Sequence, residues 1–181
     1  MMKRFLLPVT VGCFLFSGHS NAASINAQVG KDFTELTAGI GSKGAGLGIN
    51  GNWTRSDHDG QVTSLGATFG LPLGPFSAYI GGKAYYLSPQ DNNNGFAFAA
   101  GVGANWQIMP SLALYGEIYG SPRDLTSGNY AYQEADVGIK YEVIKPLAIN
   151  FGYRFMKVQG KHHHPNNTIA DGFYLGAGVS F

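Results

Sequence analysis

Sulfur, charge and long apolar runs are all scarce in this chain. Its one cysteine, Cys13, excludes an internal disulfide framework and any multi-cysteine zinc site. Charged residues make up 13% of the 181 residues, about half the usual quarter. The formal net charge is +1, so there is no basic footprint for nucleic acid. The longest apolar run, from Phe5 to Phe16, falls short of the ~20 residues a transmembrane helix needs. What the chain has in quantity is glycine, 27 residues, and aromatics, 12 Phe and 10 Tyr against 2 Trp. So much apolar and aromatic content is incompatible with a disordered polypeptide.

The N-terminal segment reads as an address. Lys3 and Arg4 precede the apolar run, and small and polar residues then lead to Ser20-Asn21-Ala22. That is the pattern of a secretory signal peptide, residues 1–22, with the cut after Ala22 or, alternatively, after Ala23. Thr10-Val11-Gly12-Cys13 loosely resembles a lipoprotein site, but cutting there leaves too short an apolar stretch upstream and strands Phe14-Leu15-Phe16 on the mature chain. Removal of residues 1–22 takes the formal charge to −1 and removes the only thiol, as suits an envelope protein made without disulfide chemistry.

Residues 23–181 form one domain with a period of two. Phe96, Phe98, Ala100, Val102, Ala104 and Trp106 alternate with smaller or polar residues, as do Leu147, Ile149, Phe151, Tyr153 and Phe155. Glu134, Asp136, Lys140 and Glu142 fall on one face of an extended strand, whereas a helix would scatter them. The uncharged stretch 92–116 is interrupted by Gly101, Gly103, Asn105, Gln107 and Pro110, and is read as strand, turn, strand. The pattern predicts ten strands, at 24–30, 33–41, 45–55, 61–71, 76–87, 95–107, 111–121, 133–143, 147–158 and 172–181, with eight or twelve as alternatives. Tight turns at 71–75, 108–110 and 144–146 alternate with longer polar loops at 56–60, 88–94, 121–132 and 159–171. The fold class expected is all-β, a closed antiparallel transmembrane β-barrel with both termini on the periplasmic side.

Alternation alone does not say which face meets water. Three features favour an apolar exterior. The wet face carries Lys83, Glu117, Glu134, Asp136, Lys140, Glu142 and Arg154, while bulky rings gather at the strand ends of the other face. Threading alternate strands up and down places Trp53, Tyr86, Phe96, Phe155 and Phe173 near one rim, and Phe76, Trp106, Tyr141 and Phe181 near the other, as two aromatic girdles. The last strand ends on Phe181 after Phe173, Leu175, Ala177 and Val179 at alternate positions, a tail of the kind that the outer-membrane barrel assembly machinery reads. Glycines inside strands weaken an ordinary sheet but permit the bend of a curved one.

Six short stretches carry a family resemblance: Gly51-Asn52-Trp53-Thr54, Leu71-Pro72-Leu73-Gly74-Pro75, Gly81-Gly82-Lys83, Ser121-Pro122, Gly152-Tyr153-Arg154 and Ala170-Asp171-Gly172. As an ordered set they resemble the YfaZ family of predicted enterobacterial outer-membrane proteins. The resemblance implies a cell outer-membrane address, and it brings neither an activity nor catalytic residues.

Chemical sites are few. His162-His163-His164 is the weak metal candidate, but adjacent side chains on an extended loop diverge, and Asp171 and His58 could complete a site only if two loops meet. Asp57-His58-Asp59 sets carboxylates beside an imidazole, yet with Gly60 it is also ordinary turn chemistry. Gly44-Ala45-Gly46-Leu47-Gly48 opens a strand and offers no helix N-terminus to a phosphate. No enzyme and no cofactor is expected. The inward charges, nearly balanced, suggest a paired network in the lumen, joined by Tyr79, Tyr85, Tyr115 and Tyr119. The small inward residues of the sixth strand leave some space among them. The function expected is a small pore or passive channel for small polar solutes, with outer-membrane lipid around it. A non-transport surface or adhesion barrel, contacting partners through 88–94, 121–132 and 159–171, is the alternative, and a rim-located hydrolase a remoter one.

Overall fold

A computed structural model describes residues 23–42, 45–90, 94–127, 131–160 and 166–181. The assigned signal peptide, residues 1–22, and His162, His163 and His164 lie outside the described residues. Ten strands run in order: β1 (Ala23–Gly30), β2 (Phe33–Ser42), β3 (Ala45–Ser56), β4 (Gly60–Leu73), β5 (Phe76–Pro89), β6 (Gly95–Met109), β7 (Leu112–Ser121), β8 (Ala131–Ile144), β9 (Leu147–Gln159) and β10 (Asn167–Ser180). Each pairs antiparallel with its chain neighbours, and β1 pairs with β10, which closes the barrel. At the seam, Ala23 and Phe181 exchange backbone N–H···O bonds in both directions. Closure leaves no strand edge unpaired, the condition hydrocarbon imposes on a spanning sheet.

The strand boundaries agree with the period-two reading within a few residues, with one substantial difference. The last strand begins at Asn167, not 172, with a register shift between Thr168 and Ala170. Ile169 and Ala170 are both buried there, so strict alternation fails and the sequence pattern ends early. The β4–β5 turn needs a backbone that only glycine adopts readily, and Gly74 supplies it at φ 70°. The β7–β8 connection carries a short 3-10 turn at Arg123–Leu125.

The apolar residues point outward. Leu65, Ile80, Phe96, Val102, Ile118, Val137, Phe173 and Leu175 each expose more than half of their surface. In water a belt of this extent would far exceed the few hundred Å² of apolar patch a monomer tolerates. All nine girdle residues stand on this outer face, with Phe155 half-buried in it. Stacked and edge-to-face ring contacts join Phe151, Tyr153 and Phe173 across β9 and β10.

Candidate functional site: the closed lumen

The inward faces of β2, β5, β7, β8 and β9 meet in one ionic network at mid-height. Lys83 Nζ lies 3.2 Å from Glu117 and 2.9 Å from Glu134. Arg154 reaches three carboxylates, Glu35 at 2.8 Å, Glu134 at 3.0 Å and Asp136 at 3.1 Å. Every one of these six residues is at most 7% exposed. Tyrosines and a threonine add hydrogen bonds to the same carboxylates. Tyr79 donates to Glu117 at 2.6 Å, Tyr85 and Tyr132 donate to Glu134 at 2.6 and 3.0 Å, and Tyr174 donates to Asp136 at 2.8 Å. Thr54 donates to Glu35 at 2.9 Å. Tyr115 and Tyr174 share a hydroxyl–hydroxyl hydrogen bond, and Lys83 sits 3.9 Å above the ring of Tyr119. Buried charge survives only when paired and hydrogen-bonded in this way.

Below the network, towards the end where the termini meet, the lumen widens into a cup of about 220 Å³. Its wall is rich in carboxamides (Gln28, Asn26, Asn50, Asn52, Asn105 and Asn150), and its ceiling includes Glu35, Glu117, Asp136, Lys83 and Arg154. Lys140 and Glu142 stand at its mouth beside Gln107 and Ser111. Above the network, towards the longer loops, the lumen is filled by apolar side chains: Phe33, Val62, Leu87, Ala97, Tyr132, Met156, Val158 and Ile169 form one buried cluster. The lumen is thus closed twice, by ions at mid-height and by hydrocarbon above.

All seven expected charged residues and all four expected tyrosines stand on the inward face. Lys83, Glu117, Glu134, Asp136 and Arg154 come together, while Lys140 and Glu142 stay apart at the mouth. The space expected beside the sixth strand is not there. Tyr79 and Tyr119 lie across Gly103 and Gly101 and fill the room these glycines leave. Sequence reading missed Glu35, Tyr132 and Tyr174. The signal was present for two of them, since outward Leu36, Ala38 and Ile40 turn Glu35 inward by parity, and outward Phe173 and Leu175 do the same for Tyr174, whereas Tyr132 fell in the expected loop 121–132, just before the expected strand.

The remaining candidates do not converge. Asp57, His58 and Asp59 form the β3–β4 turn, where the Ser56 hydroxyl accepts from the backbone N–H groups of His58 and Asp59. Asp171 faces outward and accepts a hydrogen bond from Tyr153. Among the described residues no group of three His, Cys, Asp or Glu side chains is placed to hold a metal ion.

Comparison with known proteins adds sequence and fold kinship. The model of the family described as YfaZ precursor matches residues 2–181. Outer membrane protein YfaZ of Escherichia coli (strain K12) is 42% identical over 180 residues, covering 99% of this chain and 100% of that protein. Among solved structures, the NanC porin aligns with a TM-score of 0.50 at 10% identity, over 90% of this chain and 99% of that one. The outer-membrane expressed OmpT of Vibrio cholerae aligns with a TM-score of 0.45 at 13% identity, over 85% of this chain. The chain spans 56% of the length of that OmpT.

Proposed function

The chain belongs to the YfaZ family and is an outer-membrane β-barrel protein, and from that premise we propose that it is a narrow channel for small polar solutes, closed in the conformation described. One observation carries this reading: the middle of the lumen is held shut by ion pairs, not by a hydrocarbon core. A buried ionic cluster contributes little net stability compared with well-packed apolar residues of the same volume, and its best-attested use is in register or switching. Ten strands also enclose more room than the eight whose side chains fill a barrel completely. Rotation of Arg154 and Lys83 towards the cup would open the mid-height layer without breaking a backbone hydrogen bond.

A second reading, a surface barrel that transports nothing, is favoured by the apolar layer of Val62, Leu87, Met156, Val158 and Ile169, which has no such hinge. Planar-bilayer recording of the purified protein separates the two. The channel reading expects brief, small single-channel steps from the wild type and more frequent ones from Leu87→Ala/Met156→Ala, which thins the upper seal. Silence from both proteins at every voltage and salt concentration removes the channel and leaves the surface barrel. On either reading outer-membrane lipid surrounds the belt, and β10 with Phe181 is the segment offered to the barrel assembly machinery.

A further inference from the structure

We propose that the cup is a binding site for a small monovalent cation, held by side-chain oxygens among which Gln28 Oε1 is a ligand. Two independent observations converge on it. The first is a charge imbalance. Four buried carboxylates, Glu35, Glu117, Glu134 and Asp136, face two buried cations, Lys83 and Arg154. Lys140 also lines the cup and offsets one of these charges, while Glu142 stands outside it at the mouth. The network and the cup together therefore carry one surplus formal negative charge. The wall behind it faces hydrocarbon, where charges are screened far less than in water.

The second observation is a buried acceptor without a donor. Gln28 is 7% exposed, lines the cup, and its Oε1 has no hydrogen-bond partner. An unsatisfied buried acceptor costs about 1–3 kcal/mol. Gln28 lies directly opposite Glu35 in the β1–β2 register, so the orphaned oxygen and the surplus charge are neighbours. Protons on the carboxylates would relieve the charge alone, and a water donating to Gln28 would satisfy the oxygen alone. A cation relieves both.

The chemistry selects the kind of cation. A divalent ion wants several carboxylate oxygens close together, and among the described residues no three acidic or imidazole groups are so placed. Neutral carboxamide oxygens, such as those of Asn50 and Asn150 on the same wall, suit a singly charged ion that keeps part of its water. A volume of about 220 Å³ leaves room for it, at the ~30 Å³ that one water takes in the liquid. The site exists in the closed barrel and does not depend on conduction. In an open channel it would favour cations over anions.

The test is equilibrium binding of thallium(I), a spectroscopic stand-in for potassium, to the purified mature barrel in detergent, in a buffer whose only other cation is bulky. The wild type is expected to show one saturable site that potassium competes for. Gln28→Ala and Glu117→Gln should each weaken binding about tenfold or more, on the scale of a lost charge-assisted contact. Gln28→Glu should tighten it, and Gln61→Ala on the outer face should leave it unchanged. Far-UV circular dichroism checks that each variant is folded, and if Gln28→Ala does not fold, Gln28→Glu and Glu117→Gln decide. Absence of saturable binding in the wild type overturns the proposal. So does binding that is indifferent to the residue at 28 and to the charge at 117. Because binding is read without current, a barrel that never conducts can still pass this test, and a conducting one can fail it.

Discussion

The ring of Tyr79 lies across Gly103, its directly paired neighbour on the adjoining strand, in the place a side chain at 103 would need. The same relationship recurs between Tyr119 and Gly101, Tyr115 and Gly138, and Tyr174 and Gly152, each a directly opposed cross-strand pair on the inward face. Glycine removes the side chain that would hold a neighbour upright, and the tyrosine leans over the gap and covers the bare backbone. Two of those hydroxyls, on Tyr79 and Tyr174, end on Glu117 and Asp136. Glycine content and ionic network are thus one design.

Gly103→Leu should therefore destabilise the barrel by about 1–3 kcal/mol, the usual range for overpacking. Combining it with Tyr79→Ala should recover part of the loss, since the two side chains would compete for one space. Urea titration of the four proteins of this double-mutant cycle, folded into lipid vesicles, measures the coupling. Strict additivity would show that the ring does not occupy the place of a side chain at 103.

Arg154 balances three carboxylates, and Arg154→Met leaves them facing Lys83 alone. The expected loss is about 3–5 kcal/mol, because uncompensated charge is buried. Lys140→Met, at the solvated mouth, should stay within about 0.5 kcal/mol. Denaturation midpoints of the two variants, measured side by side, check the difference.

The outward belt predicts a depth-dependent cost for charge. Val102 lies at the middle of β6, and Val102→Arg should cost about 2–4 kcal/mol. Thr63, paired with Trp53 and Tyr86 at the girdle, should tolerate Thr63→Arg at about 0–1 kcal/mol. Folding yield and stability in vesicles read both. Equal costs at the two depths would contradict the assignment of this face to lipid.

The cup opens at one end only, so thiol accessibility should be one-sided. Asn105→Cys, in the cup wall, should react with a membrane-impermeant maleimide from the periplasmic side. Val62→Cys, within the upper seal, should be protected from both sides. Labelling of closed cells against cells with a permeabilised outer membrane distinguishes the routes.

The sequence by itself determined the barrel, because a period of two is a local property. Once Ile80, Ile118, Val137 and Phe151 must meet hydrocarbon, parity alone sends Lys83, Glu117, Asp136 and Arg154 inward, with no knowledge of what lies opposite them. Where the pattern was locally broken, at the bulge near Ala170, reading by parity stopped short. Tertiary structure alone decided which inward residues touch, since Arg154 and Glu35 are far apart in the chain and meet only when closure brings their strands round one axis. It decided likewise that the lumen is shut: glycine on the sixth strand reads as empty space until the neighbouring strand's register lays Tyr79 over it.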